Sequence, residues 1–359
     1  MKWTFFPVAQ FEQLAPTWNA LNDGAGSLPF LHSRFLLPLC EVFGDRNLKL
    51  ALCESAQGPL AMGILTKKSV AQWETFQPSQ LPLGAWVMRP DQDFERLLSG
   101  LAKRLPGMAL AIGVTQQDPA SFRRPAESAR LHTLDYIRTA WVPIAGSFDD
   151  YWAKRGKNLR NNMKKQRAKL EQDGVTTSLE VLTRPEDVGP AIEDYGRLES
   201  GGWKAAGGTA IHPGNAQGRF YRAMLESFCL AGEGRIYRYR FGERVVAVDL
   251  CIAGGGAVVI LKTTYDETIK TLSPAFLMRQ EAFARIWDER RIQRIEFFGK
   301  LMDWHKRWTD NAREIYHLTN YRWSWVKRLR ARNARYEAEA TKNASRANIV
   351  ALSGVNTEL

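Results

Sequence analysis

Two short stretches of this chain hold the residue types from which an anion-handling site can be built. The first runs Leu261-Lys262-Thr263-Thr264-Tyr265-Asp266 and is followed by Leu272-Ser273-Pro274-Ala275-Phe276-Leu277-Met278. Its opening part ends an apolar, strand-like run. Ser273 is of the type that caps a helix N-terminus, and Pro274 suits the first helical position because it has no N–H to leave unpaired. A helix starting there turns free amides and a positive dipole end outward, and with Lys262 or Lys270 nearby it can hold a phosphate-bearing ligand. A capped helix that simply follows a strand is the plainer alternative. No GxxxxGK[ST] or GxGxxG phosphate loop is present, and the glycines at 254–256 read as a turn.

The second stretch is Glu296-Phe297-Phe298-Gly299, with Asp303, His305 and Lys306 close behind. A carboxylate at Glu296 or Asp303 can orient an amine or hydroxyl, or accept its proton. Lys306 can meet an acidic ligand, and Tyr265 can donate a hydrogen bond. Each has an ordinary alternative: Glu296 held by Arg291 or Arg294, Asp303 and Lys306 solvated, His305 packed beside Trp304. Asp249 and Lys262 fall in successive strand-like runs, where an inward-facing charge is costly unless paired. His32 and His212 read as local structural residues.

For these residues to converge, strands and helices must deliver them to one end of a sheet. LKLALCE (48–54) and PLAMGILTKK (59–68) read as strands about a polar turn, 93–105 as a helix, and 109–114 and 139–144 as further strands. The second half repeats the mixture. A basic helix over 152–172 precedes a strand at 177–182, helical stretches at 187–203 and 218–232, and strands at 235–241, 245–254 and 257–266. A helix at 274–289 and a strand at 294–299 follow. The pattern predicts an α/β (α+β) fold with a boundary near 145–150, although no sequence repeat is visible.

The charge balance, 50 Lys and Arg against 38 Asp and Glu, favours an anionic partner without choosing one. Much of the excess sits on the 152–172 helix, where Leu159, Met163 and Leu170 supply a packing face. The basic side can face cofactor phosphates, an acidic acceptor, nucleic acid or anionic lipid. Trp323, Trp325, Lys327, Arg328 and Arg330 form a second aromatic-basic patch, suited to a membrane surface, a partner or plain packing. Four scattered cysteines offer neither metal-ligand spacing nor a disulfide framework, so no metal is expected. Pro7 and Gln10 interrupt the apolar N-terminal patch, and no run reaches the length of a membrane span. A cytoplasmic protein is expected, with contact at the inner membrane face left open.

The order Lys262, Tyr265-Asp266, Ser273-Pro274-Ala275 and Leu277 resembles the core of the BioF2-like, or CelD-like, acetyltransferase family of the GNAT superfamily. That family presents a lysine, a tyrosine–aspartate pair and a Ser-Pro-Gly-x-Leu helix start. Ala275 departs from the glycine, and its methyl group narrows the space beside a bound pyrophosphate. Glu296-Phe297-Phe298-Gly299 with Asp303 and Lys306 is similar to a later family feature. The likeness covers about 150–310 and, less distinctively, the first half through Leu81-Pro82-Leu83-Gly84. It implies two GNAT-like acyltransferase units with central mixed β-sheets, at 1–149 and 150–325, and a basic helical extension and tail at 326–359.

The resemblance also implies a chemistry. Acetyl-CoA or another acyl-CoA would be held by Lys262, Ser273, Pro274, Ala275, Phe276 and Leu277, with Glu296, Asp303 and Tyr265 as catalytic candidates. Glu199, Trp203, Lys204, Asp249, His305 and Lys306 would bind the acceptor. Gly201 and Gly202 allow a close turn there, and Trp203 can cover an apolar or sugar-like group. The acyl group would pass directly to an amine or hydroxyl of a small molecule or a glycan or envelope precursor. A related comparison, with FemAB-like aminoacyltransferases, makes charged transfer RNA the rival donor; no other nucleic-acid signature is present. A noncatalytic anion-binding protein on the same fold is the third reading.

Overall fold

The computed structural model describes residues 1–201 and 211–333, and within them one order of elements occurs twice. The first unit runs β1 (Lys2–Pro7), α1 (Phe11–Gly24), α2 (Ser33–Phe43), β2 (Lys49–Ser55), β3 (Gly58–Ser69) and β4 (Gln72–Thr75). After a short β5 (Trp86–Met88) come α3 (Phe94–Ala102), β6 (Ala111–Gln117) and β7 (Leu131–Pro143). Two connecting helices, α4 (Phe148–Ala153) and α5 (Lys157–Gln172), lead into the second unit. That unit runs β8 (Thr177–Leu182), α6 (Pro185–Ser200), α7 (Ala216–Leu230), β9 (Gly234–Phe241), β10 (Arg244–Gly254) and β11 (Ala257–Tyr265). It ends with α8 (Pro274–Trp287), β12 (Arg294–Glu296), the single turn α9 (Asp303–Lys306) and β13 (Ala312–Tyr321). Leaving aside the short β5 and α9, each unit is thus a strand, two helices, three strands, a helix and two strands.

All the strands join in one mixed sheet of order β1-β2-β3-β4-β6-β13-β7-β12-β11-β10-β9-β8, with β5 on β3. Neighbours are antiparallel except β4–β6 and β11–β12. Those are the two places where a helix, α3 or α8, carries the chain over to a parallel strand. The last strands of the units are exchanged. β13 of the second unit lies on β6 of the first, while β7 of the first reaches β12 of the second. β7 and β13 pair with each other along the junction.

Three apolar clusters cover the two faces. One is shared by both units: Phe35 meets Phe220 edge-on at 5.2 Å and Phe30 meets Phe298 at 4.6 Å, so α1 and α2 pack with α6 and α7. On the opposite face, α3 covers the first unit, and α5 and α8 cover the second. With helices on both sides, β10 is buried along nearly its whole length, which is why VVAVDLCIA reads as an apolar run broken only by Asp249.

The mixed fold and the strand turns at Gly242 and at 254–256 are as the sequence predicts, with Gly242, Gly255 and Gly256 all at positive φ. Three details differ. The basic helix is two helices, broken before Gly156, although Leu159, Met163 and Leu170 do form its buried face. Strand β12 stops at Glu296, because Phe298 adopts φ +49°, outside strand geometry. Strand β13 carries no sequence expectation. Among the described residues no helix is long and apolar enough to cross a membrane.

Candidate active site

Strands β11 and β12 pair only through Ala257–Arg294, Val258–Ile295 and Val259–Glu296. Beyond that, β12 ends while β11 continues to Tyr265. Against β10 the register passes from Cys251–Ile260 to Leu250–Lys262, so Leu261 is an extra, bulged residue that bends β11 away. The strands therefore part, and two cavities border the opening.

The first cavity, of about 450 Å³, lies between the units. Gln80 and Gln116 line it from the first unit, and Lys262, Phe297, Phe298 and Lys300 from the second. Gln116 and Phe298 are both held at positive φ, +43° and +49°. Non-glycine residues rarely adopt that conformation, and such strain clusters at functional sites. Lys262, expected on the cofactor side, lies here, its ammonium 5.8 Å from the Tyr221 ring centre.

The second cavity, of about 350 Å³, opens at the N-terminus of α8. Thr263, Tyr265, Lys270, Ser273, Ala275 and Arg279 line it, with Pro274, Phe276 and Trp304. The two cavities share a wall, since Phe297 of the first stands edge-on to Trp304 of the second at 5.4 Å. Ser273 precedes Pro274 as expected but is not a side-chain cap. It sits in the left-handed region (φ 53°, ψ 47°), and its hydroxyl accepts only a long 3.4 Å bond from Asn162. The helix mouth is narrower than expected too. The Phe276 and Leu277 amides donate to the Ser273 carbonyl at 3.0 and 3.1 Å, and the Ser273 amide to Lys270. The Ala275 N–H has no protein partner among the described residues. The Leu277 side chain is fully enclosed in the core, and Phe276 stacks on Trp308 at 5.6 Å.

Arg279 carries no sequence expectation. Only 2% exposed, it reaches Asp249 at 3.3 Å and donates to the Thr263 hydroxyl at 2.9 Å. Its guanidinium lies 4.7 Å from the Trp304 ring centre, and its Nε has no partner among the described residues. Nothing local marks it in the sequence, since Arg285 on the same helix is also basic and stays exposed.

The acidic loop is arranged differently. Glu296 is buried between Arg294, at 3.0 Å, and Arg313, at 2.9 Å; Arg313 also holds Asp118. Burial pushes the Glu296 carboxyl above its ordinary range, against the opposing pull of Arg313 and Arg294. Asp303 stands exposed, paired with Lys306 at 2.8 Å, and that bond lowers its pKa. His305 is buried; its Nδ1 accepts from the Met302 amide at 2.9 Å, which leaves Nε2 to carry the proton. Burial, then the Arg279 charge, lower its pKa to about 4, so it is neutral near pH 7. Glu199 is buried and accepts from the Ile211 amide at 2.7 Å. Trp203 and Lys204 lie outside the described residues. The structure thus gathers Tyr265, Ser273, Pro274, Ala275 and Phe276 round one cavity, with Asp249 behind it through Arg279. Asp303 and Lys306 line neither cavity.

The first unit has no comparable mouth. Helix α3 starts after Asp93, whose carboxylate already accepts from the Arg96 amide at 2.7 Å, with Glu95 in its first turn. The cavity beside it, of about 690 Å³, is lined by Asp91, Asp93, Glu95 and Glu127 as well as Arg123 and Arg124. Carboxylates at that helix start oppose a phosphate.

Residues 157–307 match the family model described as an Acetyltransferase (GNAT) domain. That segment is an acyltransferase domain of the GNAT type. It contains the parted strands and both rims of the second cavity, and with it the chain is an enzyme of the acyltransferase class. No match was found among curated proteins. Among solved structures the chain is similar to FemX, with TM-score 0.56 at 8% identity, over 89% of this chain and 97% of that one. It is also similar to the C-terminal domain of a protein assigned as a lysylphosphatidylglycerol synthetase from Agrobacterium fabrum. There the TM-score is 0.52 at 11% identity, over 88% and 96% of the two chains. A conserved protein of unknown function from Bacteroides thetaiotaomicron gives 0.53 at 11%, over 89% and 99%. At such identities the likeness establishes a shared fold.

Proposed function

We propose that the protein is an acyl-CoA-dependent N- or O-acyltransferase of the CelD-like kind, with acetyl-CoA as the first donor to test. One observation carries the reading: two cavities, one at a helix mouth and one between the units, border the same stretch of β11 where β12 leaves it. Donor and acceptor can thus meet from two sides of one opening without an acyl-enzyme stage.

The second cavity fits the phosphate end of such a donor. The Ala275 amide, the Lys270 ammonium and the Arg279 guanidinium are donors or cations at its wall, and among the described residues its lining holds no carboxylate. When bound, an acyl-CoA supplies an acyl carbon already activated as a thioester. Tyr265, at the exit of β11, can hand a proton into this cavity for the departing sulfur. Trp304 and Phe276 exclude water on the apolar side. Glu296 acts as a positioning residue: it holds Arg313, whose guanidinium lies 5.1 Å from the ring of Phe298 on the acceptor cavity wall.

Aminoacyl transfer from charged transfer RNA is the rival reading. It is favoured by the exposed lysines of α5, a helix whose Asn162 touches Ser273 at the same mouth. Titrating the purified protein with acetyl-CoA and a longer acyl-CoA in a calorimeter decides the donor. Saturable binding that weakens at least tenfold in Lys270→Glu supports the proposal; folded protein that binds neither donor refutes it.

A further inference from the structure

The cavity between the units says more about the acceptor than its position alone. Among the described residues its lining carries two lysines, Lys262 and Lys300, and no carboxylate. A small ligand site with one sign of charge on low-dielectric walls concentrates the opposite charge. The same cavity is walled by Gln80, only 8% exposed, whose side-chain oxygen has no partner among the described residues. Apolar surface from Leu81, Pro82, Phe297 and Phe298 completes the wall. A volume of about 450 Å³ falls in the range of small-molecule sites.

We infer that the acceptor is a small anionic molecule, with a carboxylate or phosphate group near the amine or hydroxyl that receives the acyl group. This rests on the acyl-transfer reading for the identity of the cavity as the acceptor side. The lysines meet the anion. The nucleophile then lies toward the gap beyond Val259, where the donor cavity begins. Neutral amines of the same shape lose the charge contact while keeping the apolar fit. Both walls carry a strained residue, Gln116 and Phe298, and such conformations persist only where the surrounding structure fixes them, so selectivity comes from a preformed cavity.

The test is equilibrium binding without any donor, on the full chain, using pairs matched in shape but not in charge. Glucosamine 6-phosphate against glucosamine probes phosphate; glycine against glycinamide probes carboxylate. At least one anionic member should bind ten times more tightly than its neutral partner, and the arm that responds names the group. Lys300→Glu, at an exposed position, should erase that preference. Equal binding within both pairs, no binding of any member, or a preference unchanged in Lys300→Glu overturns the inference. Acetyl-CoA titration of the same samples reports separately on the acyl-transfer reading, which can stand if the charge preference fails.

Discussion

The buried pair of Asp249 and Arg279 separates folding from donor binding. The two side chains are 1% and 2% exposed, and their closest contact is 3.3 Å. That is longer than the roughly 2.7–2.9 Å of the strongest charge-assisted bonds, so the low end of the buried-pair range applies. Asp249→Asn leaves a guanidinium charge in the core without a counterion, and should cost about 3 kcal/mol, from a typical range of about 3–5. Replacing both residues with apolar ones of similar size removes the charges together. Asp249→Leu with Arg279→Met should therefore lie within about 1 kcal/mol of the parent. The double variant also lacks the Arg279 guanidinium at the cavity wall, and losing a charged hydrogen-bonding group there should weaken acetyl-CoA binding about 10- to 100-fold. Urea unfolding followed by tryptophan fluorescence measures the first quantity, and calorimetric titration the second. The single variant should be unstable, the double variant stable but poor at binding donor. Asp249→Asn at parental stability would refute the electrostatic coupling; parental donor affinity in the double variant would refute the role given to Arg279.

Tyr265→Phe should lower turnover about 100-fold, in line with loss of a general acid, with little change in donor binding measured by titration. Asp303→Asn, at an exposed residue lining neither cavity, should keep kcat/KM within about twofold in a thiol-release assay, since surface pairs contribute little. Gly84→Ala should destabilise the first unit by about 1–3 kcal/mol in urea unfolding, because an added Cβ would sit 2.3 Å from the Thr75 hydroxyl and 2.5 Å from the Thr115 carbonyl. His305, with a folded pKa of about 4 against 6.5 unfolded, contributes stability above pH 6.5 that is lost as pH falls toward 4. The loss should approach about 3 kcal/mol, and His305→Gln should flatten stability against pH over that window.

The strands and helices of the second unit were legible because their apolar patterns are local. TSLEVL, VVAVDLCIA and AVVILKTTY alternate or run as buried strands do, and the glycines between them need positive φ. The helix after Ser273 was legible through Pro274. What the serine does there was not, because a left-handed residue before proline looks the same in sequence as a capping one. Of the site, Tyr265, Ser273 and Ala275 could be placed, since they flank one strand and one helix start. Gln80, Arg279 and Lys300 could not, because their importance comes from being buried or brought together across units. A pairing such as Gln80 with Lys262 has no local pattern.

The exchange of last strands explains why the cavity lined by Gln116 and Lys262 needs both units. β13 lies between β6 and β7, and β7 continues onto β12, so the walls cannot move apart without breaking the sheet. Arg313, on β13, joins Asp118 just beyond β6 to Glu296 at the end of β12, and thus ties the two parallel junctions together. The donor mouth is different: its polar groups all come from the second unit, and the matching helix of the first unit presents acids instead. On the proposed reading, repetition of the fold without repetition of the mouth gives one unit the donor and leaves the other to shape the acceptor. The strained Gln116 then has, on that reading, a role in the first unit that the fold alone would not require.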